Sequence, residues 1–285
     1  MKAENSMRKF KLGIALSGGG ARGFAHLGAL KAMNERKLYP EIISGTSAGS
    51  LAGVLYADGY SPDEIFTFFK SLSFSNFAEV SIPEGGFLKT TKIQTFLKKH
   101  LRAKTFEELK IPLKVIASDI ELGESRIFSE GELIQPIVAS CSVPIVFSPM
   151  EIDGHFYVDG GLFMNFPVSV IRKDCIKVIG VDVSPVIPMK YDKSLKYMIE
   201  RSMNYMVGAN SALERCHCDY LIESKSISQY SIFDLKHADI IYKKGYELAC
   251  DYLESNKSAI ERDFFKRDWV PKTPLGRLLK SFKRG

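Results

Sequence analysis

Gly45-Thr46-Ser47-Ala48-Gly49 places a serine between two glycines at the G-x-S-x-G spacing. The stretch Glu41 to Ser44 reads as a short strand before it, and Leu51, Ala52, Gly53 and Val54 begin a small-residue helix after it. That is the layout of a nucleophile elbow, whose strained turn projects the serine hydroxyl outward. Gly45 and Gly49 lack the Cβ atoms that would keep strand and helix apart. Ser47 would stand at a helix N-terminus, where amide groups and the macrodipole favour developing negative charge. The spacing also fits a plain strand-to-helix turn in which Ser47 only caps the helix.

A second cluster, Gly18-Gly19-Gly20-Ala21-Arg22-Gly23, follows the strand Lys11 to Leu16 and fits G-x-G-x-x-G. A dinucleotide site would need an acid at the end of the second strand to hold the ribose. Glu41 starts that strand and Ser44 ends it, so no acid stands there. Successive glycines serve better as a loop of backbone N–H groups that bind an oxyanion. Arg22 either pins this loop, helps bind an anionic group, or is an exposed arginine at a helix start. Both loops follow strands of one parallel sheet and open at its C-terminal edge, where ligands bind in open α/β folds.

A serine hydroxyl needs a group that takes its proton. None of the five histidines (His26, His100, His155, His217, His237) lies in a motif. The order Ser47, Asp159, His237 would suit a hydrolase triad. Asp159-Gly160-Gly161 offers another solution, because two glycines after a strand-end aspartate allow a sharp turn and close approach of another segment. Bonded directly to the serine, Asp159 would act as base with no histidine; a base this weak suits esters better than amides. Asp-Gly is also a common turn pair. Asp119 follows the strand Leu113 to Ser118 and reads as a structural turn acid.

Strands and helices alternate along the chain. Helices are expected at about Ala21 to Asn34, Gly49 to Ala57, Pro62 to Lys70, Lys89 to Leu101, Glu132 to Ser140, Leu195 to Cys216 and Ala238 to Leu253. Val146 to Ile152 and His155 to Val158 read as strands joined by an Asp153-Gly154 hairpin turn, and Ile176 to Val183 as a buried strand. This pattern implies an α/β fold, three layers α/β/α with a mainly parallel central sheet. Phe74, Phe77 and Ile82, in the looser stretch Ser71 to Gly86, could line or lid an apolar channel or belong to the core.

The 285 residues are 45% hydrophobic and 25% charged, which excludes disorder and low-complexity readings. Five cysteines, an odd number with no C-x-x-C spacing, point to reduced thiols. No signal peptide or membrane-spanning run is visible, so a cytoplasmic protein is expected. The net charge of +6 is concentrated after Asp263, where seven basic residues accompany one acid; the rest carries 32 of each sign. Leu275, Leu278, Leu279 and Phe282 share a helical face in this tail. Such a helix can lie peripherally on an anionic inner membrane face. It can equally be a solvated tail or a short last helix docked on the core. Nucleic acid is not an expected partner, since the rest of the chain carries no net positive charge.

Gly18 to Gly23, Gly45 to Gly49 and Asp159 to Gly161, in this order, resemble the patatin-like phospholipase family. Ala139-Ser140-Cys141-Ser142-Val143-Pro144, Asn165-Phe166-Pro167 and the whole of Lys11 to Leu30 strengthen the match. It covers Lys11 to Val183, and the chain is most similar to the short bacterial branch related to the catalytic domain of neuropathy target esterase. The resemblance implies a Ser-Asp dyad that hydrolyses phospholipids, lysophospholipids or other acyl lipids without metal or cofactor. By position, Ser47 would be the nucleophile and Asp159 the base. Gly18, Gly19, Gly20 and Gly23 would form the oxyanion hole, supported by Arg22. The expected organisation is an N-terminal extension (1–10), one acyl hydrolase domain (11–263) and a basic tail (264–285). A binding protein with an idle pocket and a dinucleotide-dependent enzyme are the competing readings.

Overall fold

The computed structural model describes residues 9–70, 79–80, 86–223 and 225–265. Phe74, Phe77, Ile82, the tail beyond Phe265 and most of the N-terminal extension lie outside the described residues. Two units separate along the chain, one running to Cys250 and one starting at Asp251.

The strands are β1 (Phe10–Leu16), β2 (Ile42–Thr46), β3 (Glu79–Val80), β4 (Gly86–Lys89), β5 (Leu113–Asp119) and β6 (Glu124–Phe128). They continue with β7 (Ile145–Phe147), β8 (Met150–Ile152), β9 (His155–Asp159), β10 (Cys175–Asp182) and β11 (Tyr220–Glu223). The α-helices are α1 (Phe24–Glu35), α2 (Ala48–Ala57), α3 (Pro62–Lys70), α4 (Thr91–His100) and α5 (Ile134–Ser140). After these come α6 (Ser169–Arg172), α7 (Leu195–Arg215), α8 (Ala238–Ser255) and α9 (Lys257–Ile260).

The central sheet runs β11-β10-β1-β2-β5-β9-β8, with β6 also on β5. The five strands from β11 to β5 are parallel, while β6, β8 and β9 join antiparallel. From Leu12 onward β1 is buried on both faces, as expected for a parallel strand between helices. Its side chains alternate. Ala15 and its neighbour Ile42 pack with Ile171 of α6 on one face. On the other, Leu16, Ile43 and Leu113 lie beneath Gly53 of α2. The layers are therefore α/β/α.

Three departures from the sequence pattern have local causes. Val146 to Ile152 is two strands, because Pro149 lacks the N–H to continue a ladder. Before it, β7 pairs with β4 in a separate sheet with β3; after it, β8 pairs with β9. Strand β6 is exposed at Glu124, Arg126 and Ile127 and only half-buried at Ser125 and Phe128, so it carries no apolar alternation. Strand β11 has only four residues. The Asp153-Gly154 turn does form, with both residues at positive φ (52° and 81°), as a tight hairpin turn requires.

One feature of the register positions the site. Thr46 at the end of β2 pairs with Ile116 of β5, and Asp159 at the end of β9 pairs with Ala117, the next residue. Strand β6 pairs with both Ile116 and Ala117, so it occupies the opposite edge of β5. The ends of β2 and β9 therefore meet head-on along one edge. Ser47 and Asp159, 112 residues apart, become neighbours there.

Candidate active site

Ser47 links β2 to α2 with φ 51° and ψ −121°, a strained conformation for a residue with a Cβ. Close packing enforces it. A Cβ at Gly49 would lie 2.3 Å from the Leu16 carbonyl oxygen, so α2 starts directly against the end of β1. The Ser47 carbonyl accepts from the Ser50 and Leu51 amides, and the Ser47 N–H donates to Ser140 Oγ at 2.8 Å. The Ser47 side chain makes no capping bond to α2. Its hydroxyl donates instead to Asp159 Oδ2 at 2.6 Å.

Asp159 is held on every polar atom. Its N–H donates to the Ser142 carbonyl, its carbonyl accepts from Ser118 Oγ, and Oδ1 accepts from the Gly161 N–H at 2.8 Å. A Cβ at Gly160 would meet the Ile116 carbonyl at 2.3 Å, so the turn hugs β5. Ser47 and Asp159 are 7% and 6% exposed, enough to be reached from one cavity but not bathed in water. Burial pushes the Asp159 carboxyl up to about 6, against the opposing pull of the bonds from Ser47 and Gly161.

The glycine loop closes the same cavity. The Gly18 N–H bonds the Asn165 carbonyl at 2.9 Å and so is not presented to a ligand. The Ala21 N–H bonds the Ile232 carbonyl. Among the described residues nothing accepts from the N–H groups of Gly19 and Gly20, and both residues line the cavity with Ser47 and Asp159. Gly23 serves close packing, since a Cβ there would sit 2.6 Å from that of Ala48. Arg22 is buried and does not line the cavity; its Nε donates to the Tyr230 carbonyl and its Nη1 to Asn204, which does. Arg22 pins the loop. Burial lowers its pKa to about 10, which leaves it charged.

The cavity has a volume of about 290 Å³ and largely apolar walls. Leu27, Ala52, Phe69 and Ile93 form a buried end among α1 to α4, while Ile120, Ile145 and Met206 line it at exposed positions. Its polar groups are concentrated around Ser47, Asp159 and the glycine loop. Such a site can hold an apolar chain with a carbonyl at the serine.

No imidazole stands between Ser47 and Asp159. His237 bonds Asp234, His155 lies 3.2 Å from Asp119, and buried His26 donates from Nε2 to the Ser17 carbonyl. Asp119 behaves as a turn acid: Oδ1 accepts from the amides of Glu121 and Leu122, and these bonds hold its pKa low. Asp119, Glu121 and His155 are the group among the described residues whose donor atoms lie close enough to share a metal ion. These atoms are engaged with one another and with backbone amides, including that of Phe156.

Asn210 of α7 carries no sequence signal. It accepts from the Asn165 N–H and donates to the Gly161 and Leu162 carbonyls, fixing the loop after Asp159. Ser140 is visible only as part of the 139–144 stretch. Among the described residues no helix is long and apolar enough to cross a membrane.

Among solved structures the chain resembles VipD from Legionella pneumophila, with TM-score 0.56 at 16% identity over 87% of this chain and 67% of that one. It also resembles human GIVD cytosolic phospholipase A2, solved with methyl gamma-linolenyl fluorophosphonate (TM-score 0.50, 12% identity, 91% and 59% coverage). At these identities the likeness is one of fold. An uncharacterized NTE family protein of Mycobacterium tuberculosis is 34% identical over 164 residues, 56% of this chain and 45% of the relative. Lysophospholipase NTE1 of Kluyveromyces lactis is 28% identical over 85% of this chain but only 19% of its own length. The chain thus spans less than half the length of these relatives. The model of the patatin-like phospholipase family matches residues 14–171, from β1 through the glycine loop, the Ser47 elbow and the Asp159 turn. With more than half of its length matched in this way, the chain belongs to the patatin-like phospholipase family.

Proposed function

We propose that this chain hydrolyses carboxylic esters of lipids (phospholipids, lysophospholipids or related acyl lipids) with Ser47 as nucleophile and Asp159 as general base. The observation that carries this reading is the direct 2.6 Å hydrogen bond from Ser47 to Asp159 inside an apolar cavity. As Ser47 Oγ attacks the ester carbonyl carbon, its proton passes to Asp159 Oδ2. The carbonyl oxygen becomes an oxyanion that accepts from the Gly19 and Gly20 amides, each such donor contributing on the order of 3 kcal/mol in comparable sites. Collapse breaks the bond to the alcohol, which leaves with the proton from Asp159. Water then enters, gives a proton to Asp159 and attacks the acyl-serine, releasing the fatty acid and restoring Ser47.

A fluorophosphonate probe tests the nucleophile. The wild-type chain should gain one phosphonyl group, located on Ser47 by peptide mass mapping, and Ser47→Ala should gain none. Labelling elsewhere, or none in wild type, defeats the reading; an idle binding pocket would give the second result. The buried end of the cavity predicts how chain length is read. Ala52 lies on α2 one turn beyond Ala48, and both line the cavity. Ala52→Phe should lower the ratio of long-chain to butyryl ester kcat/KM by at least about tenfold, the scale on which a pocket discriminates one or two methylenes. An unchanged ratio would place the acyl chain elsewhere.

A further inference from the structure

The Gly18–Gly19 peptide is held from one side. Its carbonyl oxygen accepts from Ser184 Oγ at 2.9 Å and from Ser17 Oγ at 3.1 Å, and both serines are buried. The peptide is trans, so its C=O and the Gly19 N–H point to opposite edges of one plane. Fixing the oxygen therefore fixes the direction of the N–H. Ser184 is itself anchored: its N–H donates to Asp182 Oδ1, and Asp182 is fully buried with Oδ2 gripped by Arg215 Nε and Nη2. Ser17 Oγ meanwhile accepts from the Val183 N–H, which ties the clamp to the sheet between β1 and β10. Glycine on both sides of the peptide would otherwise let it rotate at little cost.

We propose that Ser184 is a positioning residue that presents the Gly19 N–H to the oxyanion. It rests on the serine hydrolase reading, with Gly19 as a donor. Ser184 borders the cavity, but its hydroxyl proton is given to the Gly18 carbonyl rather than to the cavity, and it acts by denying the Gly18–Gly19 peptide its flipped orientation. A lost oxyanion donor costs roughly 100-fold or more in kcat, and a donor presented only part of the time costs less.

The test compares Ser184→Ala, Ser184→Val and Ser184→Thr on a soluble butyryl aryl ester. Thr and Val have the same shape and differ in the hydroxyl. Ser184→Ala and Ser184→Val should lose about tenfold or more in kcat with KM changed by less than about twofold. Ser184→Thr should recover most of the loss relative to Ser184→Val. The acid-side pH midpoint should stay in place, because Asp159 is untouched, and phosphonylation should slow by the same factor as kcat/KM. Equal kcat in Ser184→Thr and Ser184→Val overturns the proposal, even if Ser184→Ala fails to fold. A loss carried in KM, or a moved pH midpoint, overturns it too. An inactive wild type would instead defeat the hydrolase reading.

Discussion

Asp159→Asn should reduce ester hydrolysis at least about 1,000-fold, near the upper range for a lost general base, while leaving a chain that is more stable than wild type above pH 7. The two halves of this result have one cause. Burial raises the Asp159 carboxyl from 3.8 to about 6, so the folded chain holds that proton more tightly than the unfolded chain does. Stability then falls as pH rises from about 4 to about 6, and above that window the ionised carboxylate costs the fold on the order of 3 kcal/mol. Asparagine has nearly the same shape and never ionises. Its oxygen can accept from Gly161, and its amide can donate to Ser47, whose hydroxyl turns to accept. Urea denaturation should show the variant gaining on wild type between pH 4 and pH 7, with butyrate ester turnover lost throughout. His237→Ala, which removes the partner of Asp234, should keep near-wild-type turnover. Loss of activity in His237→Ala, or retention in Asp159→Asn, would restore the triad.

The elbow, the glycine loop and the Asp-Gly-Gly turn were legible because each requires a backbone path that few residues tolerate. Gly49 and Gly160 are each within 2.3 Å of a carbonyl oxygen if given a Cβ, so the sequence cannot hide them. Parallel β1, β2, β5 and β10 were legible from buried apolar runs. What could not be read is how β5 lines up two other strands, since register across 112 residues leaves no local pattern. The division of labour within the glycine loop was equally hidden: Gly18 is engaged with Asn165, and only the fold reveals it. Asn210 acts through its side-chain amide on an amphipathic helix and Ser184 through its hydroxyl after a strand, where nothing in their neighbours' types marks them. Strand β6 escaped because it is mostly exposed and, of its apolar residues, buries only Phe128 in part, and Pro149 marked a break that the apolar run on either side concealed.

Hydrolysis should fall with acidity along a line set by the same carboxyl. Only the ionised form of Asp159 can take the Ser47 proton, so kcat/KM should be level above about pH 7 and drop roughly tenfold per unit below a midpoint near 6. At pH 4 about a hundredth of the activity should remain. Neither His26 nor Asp119 provides that midpoint: burial keeps His26 neutral down to about 4, and the turn amides hold Asp119 below its usual range. Because the Ser47 hydroxyl stabilises the carboxylate form, removing it should move the carboxyl further up. In Ser47→Ala, a carbon-13 resonance of the labelled Asp159 carboxyl should therefore titrate above the wild-type midpoint. A midpoint near 4 in wild type would mean that water reaches the aspartate freely. A downward move in Ser47→Ala would mean that the hydroxyl donates elsewhere, and the dyad would lose its physical basis.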